Sequence, residues 1–432
     1  MSKPPSPTPS RGESGTTAGD RRPSPYLSDR GRQVRDEARL LIPLLREEGQ
    51  EGEELGALPP KTLRAIHEAG VFKTALPVEL GGYALGARDT VEIITALGEG
   101  DGSAAWTVFV AGGIRNVLGF PQQTVDEVFK EIDTWIGPLV VGASVFSTSV
   151  GSARRGDGGW LVSGKWAFGS GCKHAAWAAV GVTCEDAEGR PRRAMALLSR
   201  EQYTILDDWK VMGLKATSSN SITAEEEAFV PDHRFVDLAD FPAVMDSVRD
   251  RYTGIGFRNG TRALMLITCL TNVAVALGMA RGTLDCFVEQ AKARKPFNLP
   301  YPTVADMPST HVAAGTARAM INAAEATILG HADEVDRRAL AGIEFTGAEE
   351  SEITMDLVHA VRLCAEAIDR LQLSLGSSTV SLKNPIQRFA RDVRVLATHG
   401  AIRFDPLAEL SGRQLLGLEP FPMFAGGVPQ VS

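Results

Sequence analysis

The sequence predicts three successive segments, one α-helical, one β and a second α-helical. Apolar residues recur at helical spacing from Ser28 onward, short alternating or β-branched runs begin near Ile136, and helical periodicity returns after Val244. With 432 residues the chain is also longer than a single hydrophobic core usually supports. The predicted fold class is therefore an N-terminal α-helical domain, a central β-barrel or sandwich and a C-terminal four-helix bundle.

The first segment begins with a tail. Residues 1–27 are rich in Pro, Ser, Gly and Arg and have no apolar run, which predicts a disordered tail and not a secretory signal. Residues 28–135 keep helical spacing, with a break at Pro59 and Pro60. The run 104–118 is almost wholly apolar, so we expect a buried helix there.

The middle segment, residues 136–243, changes to a strand pattern. Its apolar runs are short and are separated by Gly, Asp and Pro, as between strands of a small barrel or sandwich. The predicted strands lie within 138–145, 160–163, 176–182, 194–198 and 222–229.

The last segment, residues 244–432, is again helical. Its alanine-rich faces allow the close packing of a four-helix bundle. The predicted helices lie within 265–290, 312–340, 350–375 and 385–396.

Composition excludes several classes of function. A net charge of -8 argues against a nucleic-acid partner. Five cysteines without a C-x-x-C pair indicate reduced thiols and a cytoplasmic protein, and seven scattered histidines give no metal-binding pattern. The sequence has no run of about 18 apolar residues, so it predicts no membrane span.

One stretch, G-K-W-A-F-G-S-G-C from Gly164 to Cys172, has the pattern of a ligand contact. Gly169 and Gly171 flank Ser170, so the backbone can approach a flat ligand closely and present a hydroxyl to it. A β-bulge or a tight turn would produce the same local sequence. The local pattern alone leaves both interpretations open.

Seven motifs, in this order and spacing, resemble the acyl-CoA dehydrogenase superfamily from about Ser28 to Gly417. They are L-P-V-E-L-G-G (76–82), G-D-G-S-A-A-W (100–106), G-K-W-A-F-G-S-G-C (164–172), M-G-L-K-A-T-S-S-N (212–220), F-V-P-D-H-R (229–234), A-R-K-P-F (293–297) and R-F-A-R-D-V-R (388–394). The resemblance implies an acyl-CoA dehydrogenase-like fold.

A departure after the last motif resembles one branch of that superfamily. Gly400 stands where the dehydrogenases have a glutamate base, and His399 precedes it, as in the two-component flavin-dependent monooxygenases. An imidazole that titrates near neutrality suits proton transfer from a phenol or amine, or on a flavin C4a-hydroperoxide. Without that resemblance, a lone histidine near a helix end is more often a cap or a packed residue.

The resemblance also implies which residues bind flavin. Ser170 matches the position that hydrogen-bonds flavin N5. The other matching residues line the flavin ring, form a loop beside it, or contact the flavin phosphates across a subunit boundary. These residues are Trp166, Phe168, Thr217, Ser218, Ser219, Arg294, Phe297, Gly376 and Ser377. Asn298 replaces a glycine of the family pattern, so FAD and FMN both remain open.

The substrate pocket is expected between the helices around 106–119 and 257–268. The candidate substrate-binding residues are Trp106, Asn116, Arg258 and Arg262. The two arginines suit an anionic or carbonyl-bearing ligand, although solvated surface arginines are the commoner explanation. Within the branch it resembles, phenols, indoles, thiophene-type sulfur compounds and sugar amines are all substrates, in catabolism or natural-product biosynthesis.

The resulting hypothesis is a monooxygenase that uses O2 and reduced flavin, FADH2 or FMNH2, from a separate NAD(P)H:flavin reductase. The resemblance also implies a homotetramer. Two alternatives remain at this point. One is an acyl-CoA dehydrogenase-like FAD enzyme with a displaced glutamate, and the other is a non-catalytic flavin-binding or scaffold protein.

Overall fold

The computed structural model describes residues 23–145 and 151–419, and all statements on structure concern these residues. The first helical segment has its ends fixed by side chains. The hydroxyl of Ser28 accepts from the Gly31 N–H at the start of the first helix, and Asp101 accepts from the Ala104 N–H at the start of the fifth. The helices are α1 (Asp29–Leu40), α2 (Ile42–Leu55), α3 (Pro60–Glu68), α4 (Ala87–Gly98), α5 (Gly102–Ala111) and α6 (Gln122–Phe129).

The fifth helix is shorter than the predicted run 104–118. After Ala111 the chain tightens into a 3₁₀ helix over Gly112–Gly119. Two adjacent glycines, Gly112 and Gly113, begin this change, since glycine weakens an α-helix.

The strands form one eight-stranded sheet in the order β6-β7-β3-β2-β4-β5-β8, with β1 paired to β4. The order has two ends, so its hydrogen-bonded ladder is not closed in the residues that the structure describes. The turn at Asp157 and Gly158 joins β2 to β3, as expected of an Asp-Gly hairpin. The strands are β1 (Val140–Ala143), β2 (Gly151–Gly156), β3 (Gly159–Trp166), β4 (Trp177–Glu185), β5 (Pro191–Ser199), β6 (Thr204–Ile205), β7 (Ile222–Pro231) and β8 (Phe235–Asp237).

Strand β4 is buried on both faces because helices cover one side of the sheet. Trp177 and Ala179 face one core, together with apolar residues of α6, while Ala178 and Val180 face a second core. Six of the eight strands contribute to that second core, so the sheet curls around it in the manner of a barrel wall.

The C-terminal helices pack directly on the N-terminal ones. One continuous core contains residues from both segments, from Val34 to Leu407. A Cβ added at Gly278 would overlap the carbonyl of Thr95 and the Cα of Gly98, so the fourth and eighth helices touch through their backbones. The helices are α7 (Phe241–Val248), α8 (Thr261–Ala293), α9 (Pro308–Ala341), α10 (Gly347–Leu375), α11 (Pro385–Leu396) and α12 (Phe404–Leu415).

Buried charges reinforce this contact. Arg281 on α8 pairs with Glu99 at 3.1 Å and with Glu325 on α9 at 3.0 Å. The carboxylate of Asp336 on α9 accepts from the backbone N–H groups of Ala87 and Arg88, at 2.8 Å each, and so caps α4. The first turn of α4 therefore depends on a residue about 250 positions later in the chain.

Helix α8 is long and apolar enough to cross a membrane, and within the described part of the chain it is the one such helix. Most of its apolar window, 78%, is buried inside the protein. Core helices have the same composition, so this helix is weak evidence for a membrane span.

Candidate active site

Two elements place Trp106 against Ser170. Trp106 lies on the buried helix α5, and Ser170 lies in the loop that follows β3. The indole Nε1–H donates to the Ser170 hydroxyl at 3.2 Å, and both residues are buried. Backbone hydrogen bonds from Gly169 to the Asn220 carbonyl, 3.0 Å, and from Gly171 to the Thr217 carbonyl, 2.7 Å, hold the loop.

The Ser170 hydroxyl continues into a chain of buried hydroxyls. Its Oγ lies 2.6 Å from the Oγ of Ser219, which lies 2.7 Å from Oγ1 of Thr217. Thr217 in turn donates to the carbonyl of Leu214 at 2.7 Å. The structure thus brings together three residues that the sequence predicted for flavin binding.

Asp392 on α11 anchors the far end of this chain. Its Oδ1 accepts from the Leu214 N–H at 2.6 Å, and Leu214 has a left-handed backbone with φ of 51°. Burial, and next the charge of Asp101, raise the pKa of Asp392 to about 7. The loop that carries Thr217 and Ser219 is therefore fixed to the helix that leads to His399.

His399 lies beside Trp106. The two ring centroids are 5.2 Å apart at an interplanar angle of 69°, an edge-to-face contact. Its Nδ1 accepts a long hydrogen bond, 3.4 Å, from the Ala401 N–H. The imidazole is exposed in the single chain, yet desolvation by the surrounding protein lowers its pKa below the ordinary value.

The surface next to Ser170 is apolar and open. Phe168 is 69% exposed, and its ring meets the edge of Trp209 at a centroid distance of 6.2 Å. Gly169 and Gly171 let this loop pack closely on its neighbours, because an added Cβ would lie 3.0 Å from the Asn220 carbonyl and 3.1 Å from Cγ1 of Val141, respectively. An exposed aromatic face next to a hydroxyl fits a flat ring with a polar edge, so these residues fit a flavin.

Trp166 does not belong to this surface, which corrects the prediction from sequence. Its side chain is fully buried in the inner core of the sheet, and its Nε1–H donates to the Gly181 carbonyl at 2.7 Å. Only Ala167 separates Trp166 from Phe168, but Phe168 has a left-handed backbone with φ of 58° and points outward. Trp166 therefore offers no face to a ligand.

A second cluster of predicted residues lies where α8 and α10 end. Arg294 donates to the Leu375 carbonyl at 3.4 Å, immediately before Gly376 and Ser377. Gly376, Ser377 and Phe297 are exposed, Phe297 by 88%. The hydrogen bond of Arg294 therefore links the ends of α8 and α10, and Ser170 takes no part in it.

The predicted substrate residues other than Trp106 are dispersed. Arg262 is paired with Glu350 at 2.8 Å on the surface, so the solvated-arginine alternative describes it better. Arg258 is exposed at the start of α8, and Asn116 is half-buried in the 3₁₀ helix after α5. The structure does not join these three residues into one site.

Arg115 is a half-buried cation whose contacts the sequence does not reveal. Its Nη2 donates to the Gly256 carbonyl at 2.6 Å, and the guanidinium lies 4.5 Å from the ring centroid of Phe257. Desolvation lowers its pKa to about 10.

Asp392 is a second residue of the site that the sequence analysis did not name as a candidate. Its place next to an arginine in R-F-A-R-D was the one available signal.

Comparison with known proteins identifies the family. The model of the acyl-CoA dehydrogenase C-terminal domain matches residues 270–404. The flavin-dependent monooxygenase oxygenase subunit HsaA of Rhodococcus jostii RHA1 is 30% identical over 364 residues, which cover 84% of this chain and 92% of that protein. The oxygenase component of the FADH2-dependent resorcinol hydroxylase of Rhizobium sp. is 27% identical over 87% of this chain and 92% of its own.

Solved structures agree with these relatives. The 3-HSA hydroxylase of Rhodococcus sp. RHA1 superimposes with a TM-score of 0.80 at 28% identity, over 91% of this chain and 99% of that one. XiaF of Streptomyces sp., solved in complex with FADH2 and glycerol, superimposes with a TM-score of 0.81 at 27% identity, over 90% of this chain and 96% of that one. These matches favour the monooxygenase interpretation over a dehydrogenase with a displaced glutamate or a scaffold. The chain therefore belongs to the acyl-CoA dehydrogenase superfamily, in its branch of two-component flavin-dependent monooxygenases, and is an oxidoreductase that works with reduced flavin.

Proposed function

We propose that this enzyme hydroxylates an aromatic small molecule, a phenol or a related ring, with O2 as the oxygen source. The observation that carries the proposal is the hydrogen-bonded pair of Trp106 and Ser170 beside His399. Two relatives, a resorcinol hydroxylase and a p-hydroxyphenylacetate 3-hydroxylase, are named for phenolic substrates, which supports this class. A separate NAD(P)H:flavin reductase supplies the reduced flavin.

Ser170 and Phe168 hold the flavin ring in this proposal. Ser170 would hold the N5 edge of the ring, Phe168 would lie against one face, and the loop of Thr217, Ser218 and Ser219 would lie beside the ring. When bound, reduced flavin supplies the two electrons that activate O2. The burial of Trp106 and Ser170 keeps water away from the hydroxyl of Ser170.

His399 takes the proton of the substrate. Because its pKa is lowered, the imidazole is neutral at neutral pH and accepts a proton from a phenol hydroxyl. The contact of its Nδ1 with Ala401 is long, so little is lost if the ring changes tautomer during this transfer.

The cluster of Arg294, Phe297, Gly376 and Ser377 binds the flavin phosphates of a neighbouring copy in a homotetramer. Its exposure in the single chain supports this role, since a partner can reach it. An arginine suits a phosphate because its fork of donors matches the phosphate oxygens. The arrangement accommodates either FAD or FMN, and binding measurements decide between them.

The same proposal includes the chain's organisation and location. The helical segment 28–135, the β segment 136–243 and the bundle segment 244–432 are treated as three domains, and the protein is placed in the cytoplasm. All five cysteines are free thiols, which supports a reducing compartment.

Anaerobic flavin binding followed by oxygen tests this function. Reduced FAD or FMN is titrated without oxygen, then mixed with O2 and a panel of phenols, and hydroxylated product and released H2O2 are quantified. We expect Ser170→Ala to weaken binding of reduced flavin and to shift the yield from product toward H2O2. Ser152→Ala, which removes an exposed hydroxyl on β2, is the matched control.

Two outcomes would contradict the proposal. Ser170→Ala with the same binding and product yield as the wild type would remove Ser170 from the site. Tight binding of oxidised FAD, with reduction by an acyl thioester and no hydroxylated product, would restore the dehydrogenase alternative.

A further inference from the structure

The hydroxyl chain at the candidate site has two ends with fixed roles. At one end, the indole N–H of Trp106 can only donate. At the other end, the carbonyl of Leu214 can only accept. Between them lie three hydroxyls, those of Ser170, Ser219 and Thr217, at successive distances of 3.2, 2.6, 2.7 and 2.7 Å.

These ends leave one direction for every hydrogen bond. Thr217 must use its only proton on the Leu214 carbonyl, so it accepts from Ser219. Ser219 has then used its proton and accepts from Ser170. Any other arrangement places two buried oxygens 2.7 Å apart with no proton between them, which is costly.

The acceptor end is held firmly. The Leu214 carbonyl also accepts from Nε1 of Trp209 at 3.0 Å, and the Leu214 N–H is bound to Asp392 at 2.6 Å. Both backbone polar groups of Leu214, its N–H and its carbonyl, are therefore engaged, and Thr217 keeps its partner. The direction of the chain is built into the folded protein.

Ser170 is consequently left as an acceptor toward the ligand. Its proton points to Ser219, one lone pair receives the Trp106 N–H, and one lone pair remains. Reduced flavin carries a hydrogen on N5, whereas oxidised flavin presents a lone pair there. A hydroxyl that can only accept matches the first and repels the second.

We propose that Thr217 and Ser219 are positioning residues that lock Ser170 as an acceptor and so make the site select reduced over oxidised flavin. The inference rests on the proposed contact between Ser170 and flavin N5. It assigns to Thr217 and Ser219 a role through Ser170, where the sequence suggested direct contact with the cofactor.

The test compares the binding of two redox states. Dissociation constants for chemically reduced and for oxidised FAD and FMN are measured anaerobically, and their ratio, oxidised over reduced, is the readout. Thr217→Val frees the Ser219 proton to turn toward Ser170, and Ser219→Ala frees the Ser170 proton directly. Each variant should lower the ratio about fivefold to tenfold, the worth of one hydrogen bond.

Thr283→Val is the matched control. Thr283 is a buried threonine on α8 that donates to the Met279 carbonyl at 2.8 Å, outside the hydroxyl chain. It should keep the wild-type ratio. A general loss of packing would weaken binding of both redox states equally and leave the ratio unchanged.

The outcomes separate this inference from the proposed function. If Ser170→Ala alters flavin binding but Thr217→Val and Ser219→Ala keep the wild-type ratio, the directional chain is refuted and the flavin contact stands. If Ser170→Ala changes neither dissociation constant, the contact itself fails. A lower ratio in Ser219→Ala supports the inference even if Thr217→Val does not fold.

Discussion

At the scale of single residues, His399 depends on its surroundings for its protonation state. Desolvation moves its pKa below the ordinary value of 6.5, so the neutral base persists into mildly acidic solution. We expect the rate of hydroxylation to fall on the acid side with a midpoint below about 6.5. His399→Asn should lose this acid limb and slow hydroxylation by about 100-fold or more.

The measurement is the pH profile of kcat at saturating reduced flavin. The half-buried His331, whose Nε2 lies 3.0 Å from Oδ2 of Asp356, provides the control variant His331→Asn, which should keep the wild-type profile. An unchanged acid limb in His399→Asn would assign the proton transfer to another group.

Asp392 is a residue whose protonation affects stability. Its pKa is raised to about 7 from 3.8, so the folded state binds a proton that the unfolded state releases, and stability falls as pH rises between these values. Asp392→Asn keeps an acceptor for the Leu214 N–H and cannot ionise. We expect it to be more stable than the wild type by about 1–3 kcal/mol at pH 8, and to lose this advantage near pH 4.

Chemical unfolding at several pH values measures this difference. The charges that face Asp392 are those of Asp101, Glu53 and Arg388. Asp369→Asn, on the partly exposed ion pair with Arg394, should show a smaller and weakly pH-dependent change. A constant difference between Asp392→Asn and wild type across pH would show that Asp392 does not titrate as described.

The sequence supplied candidate residues for the site but not the contacts among them. Ser170, Thr217 and Ser219 were named because motifs carry them, and His399 because it precedes the position of the missing glutamate. Their bonds were not predictable, since a hydrogen bond such as that of Leu214 with Asp392 joins positions 178 apart in sequence. Trp166 is buried whereas Phe168 is exposed on a left-handed backbone, a conformation that a phenylalanine does not announce in the sequence.

At the scale of secondary-structure elements, long periodic helices were predictable and short or polar elements were not. The predicted helix at 265–290 corresponds to α8, Thr261–Ala293. Strand β2 was not predicted, because its residues Gly-Ser-Ala-Arg-Arg-Gly have little strand preference and are held by their neighbours β3 and β4. Helices α6, α7 and α12, of 8 to 12 residues, were missed in the same way.

The start of α4 offers a prediction at this scale. Gly86 has no side chain to cap the helix, and Asp336 on α9 supplies both acceptors from outside. Asp336→Ala leaves two buried N–H groups without partners, so we expect a loss of about 2–4 kcal/mol. A lower midpoint of thermal unfolding by calorimetry would report it.

The control for this variant is Asp356→Ala on α10. Asp356 is 53% exposed and its carboxylate lies 3.0 Å from the imidazole of His331. Because the carboxylate is exposed, its loss should shift the midpoint little. Equal shifts in the two variants would mean that the cap contributes nothing beyond an ordinary surface contact.

At the scale of the whole molecule, exposed apolar side chains gather where α8 and α10 end. Phe297, Leu373, Val380 and Leu382 are 88%, 80%, 69% and 61% exposed. Exposed apolar patches of this kind commonly form interfaces. The proposed homotetramer would cover them and complete the phosphate site.

We expect the native mass in solution to be about four times the chain mass of 46.2 kDa. Leu373→Glu should dissociate the assembly, because it buries a charge at the interface, and should weaken flavin binding at the same time. Leu40→Glu, at the equally exposed end of α1, is the control. Light scattering measures the mass of both variants, and a flavin titration measures their binding. A monomeric wild type that still binds flavin would contradict the prediction.

The contact of Gly98 with Gly278 also has a consequence in time. These glycines are 180 residues apart, so a ribosome making about 5–20 residues per second completes α4 roughly 10–40 s before it completes α8. During that interval the face of α4 that α8 will cover is still open. We therefore expect slower translation of the second half to increase aggregation of the nascent chain.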